Sequence, residues 1–185
     1  MPENATAWER ETYQRNAIMK GLVDAKDDDI IIISDADEIP RAEAVKKYKP
    51  EMGLTALKMD NFWYKFNCLT ERQTWVAPRI MTYKYLKNTT PNSVRLSGYE
   101  NVIDNGGWHF SYCGNADYIA NKLKSFSHEE YNVEPYNNKE YIKKQIESGI
   151  SLWGDSQFEF VPMDETFPKF LVDNQEYFKE LIQKV

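Results

Sequence analysis

Four consecutive isoleucines, Ile30–Ile33, run directly into the acidic string Ser-Asp-Ala-Asp-Glu-Ile-Pro. Four β-branched residues in a row offer no polar face to water. They are therefore expected as a strand buried on both faces, as at the centre of a mostly parallel sheet. Ahead of them, residues 8–22 place Trp8, Tyr13, Ala17, Ile18 and Leu22 at helical spacing, with Arg and Glu on the other face, which predicts one amphipathic helix. Helix followed by buried strand predicts an α/β fold with a mixed, mostly parallel sheet flanked by helices. With 185 residues, a single domain spanning 1–185 is long enough to bury its own core.

The rest of the chain continues that pattern. Pro40 suits a first helical turn, and residues 41–48 predict a short helix. Residues 54–67 and 75–85 are rich in aromatic and β-branched side chains and predict neighbouring strands, separated by a polar turn at 70–73. Residues 94–96 and 108–113 predict further strands, the second bounded by Asn105, Gly106 and Gly107. Helices are expected over 115–126, 139–148 and 170–182.

The acids after the isoleucines carry the strongest chemical signal. In open α/β sheets, ligands bind beyond the carboxyl ends of the strands, where Asp35, Asp37 and Glu38 emerge. Residues two apart in extended chain face one way, so Asp35 and Asp37 can address one ion. Hard carboxylate oxygens suit Mg2+ or Mn2+, and such an ion can hold the diphosphate of a nucleotide sugar. The plainer reading makes these aspartates turn and capping residues. A directly preceding apolar strand and a third carboxylate favour the ligand site. Strand followed by D-x-D also fits phosphatases of the haloacid-dehalogenase type, with the aspartates as nucleophile and general acid. That chemistry needs a second acidic strand end, and the chain shows no clear one.

A second constellation is Asn-Gly-Gly-Trp-His-Phe-Ser-Tyr-Cys-Gly at 105–114. The glycine pair permits a tight bend or a close ligand approach, and aromatics such as Trp108 can wall a sugar pocket. His109 reads equally as a hydrogen-bonded core histidine and as a general base or metal ligand, and His128, beside Glu129 and Glu130, as a third metal ligand or a helix-terminal charge. Trp63 and Tyr64 are candidates for the acceptor side, although aromatics in a strand are more often core. Aromatic residues make up 14% of the chain, a share that serves sugar stacking or a bulky core equally well.

Charge limits the partners. A net charge of −6 repels phosphate backbones and anionic membranes, so nucleic acid is not expected, whereas a cation held by carboxylates still admits a diphosphate. Cys68 and Cys113 have no zinc-type spacing and imply no disulfide framework. No leader-like apolar run opens the chain, and no stretch approaches the length of a membrane span, so a soluble, cytoplasmic protein is expected.

Five blocks together resemble glycosyltransferase family 17: Trp-Glu-Arg-Glu-Thr-Tyr-Gln-Arg-Asn-Ala-Ile-Met-Lys-Gly-Leu at 8–22, the acidic block at 28–41, Ala-Pro-Arg-Ile at 77–80, Gly-Gly-Trp-His-Phe-Ser-Tyr-Cys-Gly with the segment 122–132, and Phe-Pro-Lys-Phe-Leu-Val-Asp-Asn-Gln-Glu-Tyr-Phe at 167–178. The resemblance implies a GT-A type fold, a donor such as UDP-N-acetylglucosamine, Mn2+ or Mg2+, a carbohydrate acceptor and inversion at the anomeric carbon. Asp35 and Asp37 carry over as the D-x-D acids, Arg79 is a candidate for the donor phosphates, and Glu38, His109 and Glu129 are candidate bases. The family pattern usually has a further segment before the first helix. Its lack here implies an N-terminally short domain, a homo-oligomer or partner chain that supplies the segment, or a noncatalytic carbohydrate-binding protein with a degenerate donor site.

Overall fold

The computed structural model describes residues 5–125 and 127–185. In chain order the elements are α1 (Ala7–Asn16), β1 (Ile30–Ile33), β2 (Glu38–Pro40), α2 (Ala42–Lys47), β3 (Thr55–Trp63), β4 (Cys68–Trp75), β5 (Arg79–Thr82), α3 (Tyr83–Leu86) and α4 (Pro91–Leu96). They continue with β6 (Asn101–Ser111), α5 (Ala116–Ser125), α6 (Lys139–Ser148), β7 (Glu159–Phe160) and α7 (Lys169–Asp173). This is an α/β chain with helices flanking its sheet. Two compact units are distinguished: Met1–Met59 with Gln73–Gly107, and Asp60–Arg72 with Trp108–Val185. Strands β3, β4 and β6 each run through both.

In the first unit β1 pairs antiparallel with β5 over Ile30↔Thr82 to Ile33↔Arg79, and β5 pairs antiparallel with β3 at Thr55↔Ile80. The expected position of the isoleucine strand is therefore corrected. It stands at the end of the strand order beside an antiparallel partner, and of its four residues only Ile33 is buried, with Ile30 at 47% exposure. Hydrophobicity on both faces marked a strand correctly but did not place it in a sheet centre. One cluster of the core joins Ala44, Tyr48, Leu57, Met59, Ile80 and Ile103, and another joins Ile33, Leu54, Met81, Leu86 and Val94.

The first helix is shorter than its periodicity predicts. A capping box between Thr6 and Glu9 starts α1, and a 3-10 turn at Ala17–Gly21 replaces its last turns. No residue of α1 is buried, and Trp8 and Tyr13 remain half exposed. Pro40 belongs to β2, so the helix expected after it begins at Ala42. Residues 94–96 are helical, not extended: Thr90 caps α4 through the Ser93 amide, and Pro91 occupies the first turn. The polar turn expected at 70–73 is the middle of β4, whose exposed residues are its polar ones.

Gly106 and Gly107 lie inside β6 and answer to backbone crowding. A Cβ at Gly106 would stand 2.6 Å from Lys58 N, and one at Gly107, where φ is +147°, would stand 2.1 Å from Ile39 O. Strands β2 and β3 occupy the space that the sequence reading offered to a ligand.

The second unit pairs β4 with β7 antiparallel, Cys68 opposite Phe160. Tyr64, Cys68, Ile119, Leu123, Ile142 and Leu152 make one core cluster, and Phe62, Leu69, Trp108, Phe110, Phe167 and Leu171 another. Helix α6 begins at an Asn138 cap and ends at Gly149 in the left-handed conformation (φ +64°). The helix expected over 170–182 is split into α7 and a 3-10 turn at Lys179–Leu181. Phe126, the last residue of the helix expected over 115–126, lies outside the described residues. Cys68 and Cys113 form no disulfide, and among the described residues no helix is long and apolar enough to cross a membrane.

Candidate active site

The acidic string folds as a tight turn between β1 and β2. Asp35 and Glu38 are bonded twice: the Glu38 amide donates to Asp35 O at 3.0 Å, and the Asp35 amide donates to Glu38 Oε2 at 2.7 Å. The two-apart, extended-chain geometry expected for Asp35 and Asp37 is thus corrected to a turn. Asp35 points outward with its side chain 46% exposed, and Asp37 is partly exposed.

Glu38 is the internal member of the set, with a side chain that has no exposed surface. It accepts from Trp75 Nε1 at 2.6 Å, from Arg95 Nη1 at 2.9 Å and from Arg95 Nη2 at 2.5 Å, besides the Asp35 amide. Burial pushes its carboxyl above the usual range, against the pull of Arg95, the Asp35 amide and the Trp75 indole. A base must meet the substrate hydroxyl, and a carboxylate enclosed by four donors does not. Glu38 shapes the turn and is not carried forward as the base.

Arg95 of α4 bridges the two acids. Its Nη2 also donates to Asp35 Oδ2 at 2.8 Å, and its own side chain is 6% exposed. Arg15 of α1 lies 3.4 Å from Asp35 Oδ1, held by Glu11 at 2.8 Å and by Asn92 at 2.8 Å. Neither arginine was marked by the sequence reading. Arg15 lay within a recognised family block, but reading 94–96 as a strand hid that α4 turns Arg95 toward the acids.

Arg79 is committed elsewhere. Its guanidinium donates to the carbonyls of Val76, Ala77 (2.9 Å) and Ser97 (2.9 Å) and stacks 5.2 Å from the Tyr99 ring. Desolvation lowers its pKa. It clamps the backbone before β5 while 5% exposed, which is the ordinary role of a buried arginine and not that of a phosphate ligand.

The remaining candidates belong to the second unit. His109 is buried within β6. Glu129 is exposed on the 3-10 turn Glu129–Tyr131, and His128, which precedes it, has Nδ1 2.7 Å from Glu130 Oε1 and its ring 5.7 Å from that of Tyr131. Tyr64 is fully buried in left-handed conformation (φ +64°), its hydroxyl donating to Ile150 O at 3.0 Å. Trp108 is 6% exposed and donates to Thr166 O at 3.2 Å. These two are core residues, contrary to the acceptor-side expectation. Trp63 keeps some exposed surface but packs at ring distances of 4.9 Å to Tyr112 and 5.6 Å to Phe158.

Two carboxylates at a turn suit a small divalent cation, because Mg2+ and Mn2+ sites often take one or two protein carboxylates and complete their shell with water and substrate phosphates. Among the described residues, no group of three or more His, Cys, Asp or Glu side chains is placed to hold a metal ion together, which gives His128 no support as a third ligand.

The pattern of glycosyltransferase family 17 matches residues 1–182. Two relatives, from Rattus norvegicus and Mus musculus, are named beta-1,4-mannosyl-glycoprotein 4-beta-N-acetylglucosaminyltransferase. Each is 26% identical over 219 residues, which take in 95% of this chain and 40% of the relative. The chain therefore spans about two fifths of the length of the relatives it matches. No solved structure matches it. With the family pattern running through nearly every described element, the chain belongs to glycosyltransferase family 17.

Proposed function

We propose that this chain transfers a sugar, N-acetylglucosamine from UDP-N-acetylglucosamine, to a carbohydrate hydroxyl with inversion, on a GT-A type fold. Family membership and the relatives' names support the reaction class and the sugar. The observation that carries the site is the turn at 35–38, with Asp35 held at half exposure by a buried arginine at the end of an apolar strand.

Asp35 and Asp37 would hold the Mn2+ or Mg2+. An ion held there would supply positive charge for a departing diphosphate. The carboxylates orient the donor so that its anomeric carbon faces the acceptor. The acceptor oxygen forms the new bond while the bond to the diphosphate breaks with its electron pair. The hydroxyl proton passes to a base other than Glu38, whose carboxylate is enclosed by its own donors.

Calorimetric titration with UDP-N-acetylglucosamine and Mn2+ tests the reading. Asp37→Ala is expected to abolish Mn2+-dependent nucleotide binding in a chain that stays folded, because a partly exposed carboxylate contributes little to packing. Nucleotide binding that survives this change overturns the site. Phosphate release from simple monoesters, without any response to nucleotide sugar, overturns the reaction class. Sugar binding indifferent to metal and nucleotide overturns catalysis.

A further inference from the structure

The most constrained contact near the acids is made by Arg95, a residue outside the motif. Its two terminal nitrogens grip the two oxygens of Glu38 at 2.9 and 2.5 Å, and one of them reaches on to Asp35 Oδ2 at 2.8 Å. Glu38 in turn accepts the Asp35 amide at 2.7 Å. Asp35 is therefore fixed twice, at its carboxylate by Arg95 and at its backbone by the carboxylate that Arg95 holds.

We propose that Arg95 is the positioning residue of the acidic turn, and that its bridge from buried Glu38 to half-exposed Asp35 sets the affinity of the turn for a divalent cation bound with a nucleoside diphosphate. The inference rests on the donor-site reading above. Three features carry it.

First, the grip needs a planar fork. A guanidinium offers parallel N–H groups to a carboxylate and a further N–H to a second one, whereas a lysine ammonium is a single point. Second, charge requires the bridge. Glu38 and Asp35 both accept from the same guanidinium nitrogen, and without that positive charge the two carboxylates would repel and splay the turn. Third, the bridge extends beyond what packing needs. Neutralising Glu38 would be complete with the bidentate pair, yet Nη2 also holds an acid whose side chain is 46% exposed. That bond leaves the other lone pairs of Asp35 for a cation or its waters. Arg15, at 3.4 Å from the second oxygen, is a weaker guide to the same carboxylate.

The test uses Arg95→Lys, with Arg15→Met for comparison. Mn2+ affinity in the presence of UDP is read by water-proton relaxation, exchange of the Asp35 amide proton by NMR, and folding by thermal unfolding. Arg95→Lys is expected to weaken Mn2+ binding about 10- to 100-fold, the usual cost of losing a residue that orients a metal ligand, and to speed Asp35 amide exchange. Arg15→Met is expected to move both less. A folded Arg95→Lys chain with unchanged Mn2+ affinity and unchanged Asp35 exchange overturns the proposal. If Arg95→Lys does not fold, Arg95→Met combined with Glu38→Leu removes the buried pair together, leaving no lone charge, and the same losses are expected of it. If the unaltered chain binds no Mn2+ with UDP, the donor-site reading fails by itself. Asp35 exchange in Arg95→Lys still decides positioning: acceleration supports it and no change overturns it.

Discussion

The turn at 35–38 and the segment 108–112 both come from blocks that resemble the family, yet they are built by opposite means. In the turn, polar groups hold one another: Glu38 is enclosed by the Arg95 guanidinium, the Trp75 indole and the Asp35 amide, and Asp35 is left half exposed. Along β6 and just past its end, Trp108, His109, Phe110 and Tyr112 are all buried, and Trp108, Phe110 and Tyr112 pack into apolar clusters. The turn is designed around a charge that remains available to solvent, the strand around removing surface from it. A motif of reactive-looking residues therefore marks a site only where the fold leaves a reactive atom outside.

The contrast can be broken most severely at its charged end. Glu38→Ala takes the bidentate partner from the buried Arg95 guanidinium, leaving it only the half-exposed Asp35 carboxylate, and is expected to cost about 3–5 kcal/mol in urea unfolding. A loss below about 1 kcal/mol would mean that the ion pair is solvated and the turn loosely held. In the second unit, Phe62→Ala empties a site 2% exposed between Phe110 and Phe167 and is expected to cost about 3–5 kcal/mol by cavity formation. Here the nucleotide affinity of the folded fraction should not follow stability, whereas for Glu38→Ala the two should fall together.

Smaller effects sharpen the same comparison. Tyr64→Phe removes the bond to Ile150 O, a residue that is half-buried, at about 1–2 kcal/mol by the same measurement. Cys68 gives a pH signature. Burial pushes its thiol up to about 12, so between about 9 and 12 the unfolded chain loses this proton while the folded chain keeps it. The folded state then binds more protons, and stability falls as pH rises through that window. The urea midpoint followed upward from pH 8.5 should decline, and Cys68→Ala should flatten the decline. The smallest expected change is Asp35→Asn. With 46% of the side chain exposed, stability should move by less than about 1 kcal/mol, while Mn2+ binding should weaken clearly.

Much of this was legible in the chain, and what was not has identifiable causes. Helix α6 was expected over 139–148 and observed there, since its period, Asn138 cap and Gly149 stop agree. The isoleucine strand was legible as a strand, but its place at the end of the strand order depends on β5, nearly fifty residues later. Polar β4 looked like a turn because pairing, not hydrophobicity, makes it a strand. Helix α4 was concealed by Val94 and Leu96, though Thr90 and Pro91 spelled a helix start. Asp35, Asp37 and Glu38 were found as a group, yet their unequal roles were not. Those roles come from Arg95, 57 residues beyond Glu38 and in a helix the strand reading had erased.

Glu38 closes the turn and opens β2, and its backbone and side chain are both bonded to Asp35. A loop tied to itself in this way has already surrendered most of its conformational freedom during folding. Little ordering is then left to oppose the arrival of a ligand, and under the proposed function the acids would discriminate by how well an ion fits them and not by how readily they can be gathered.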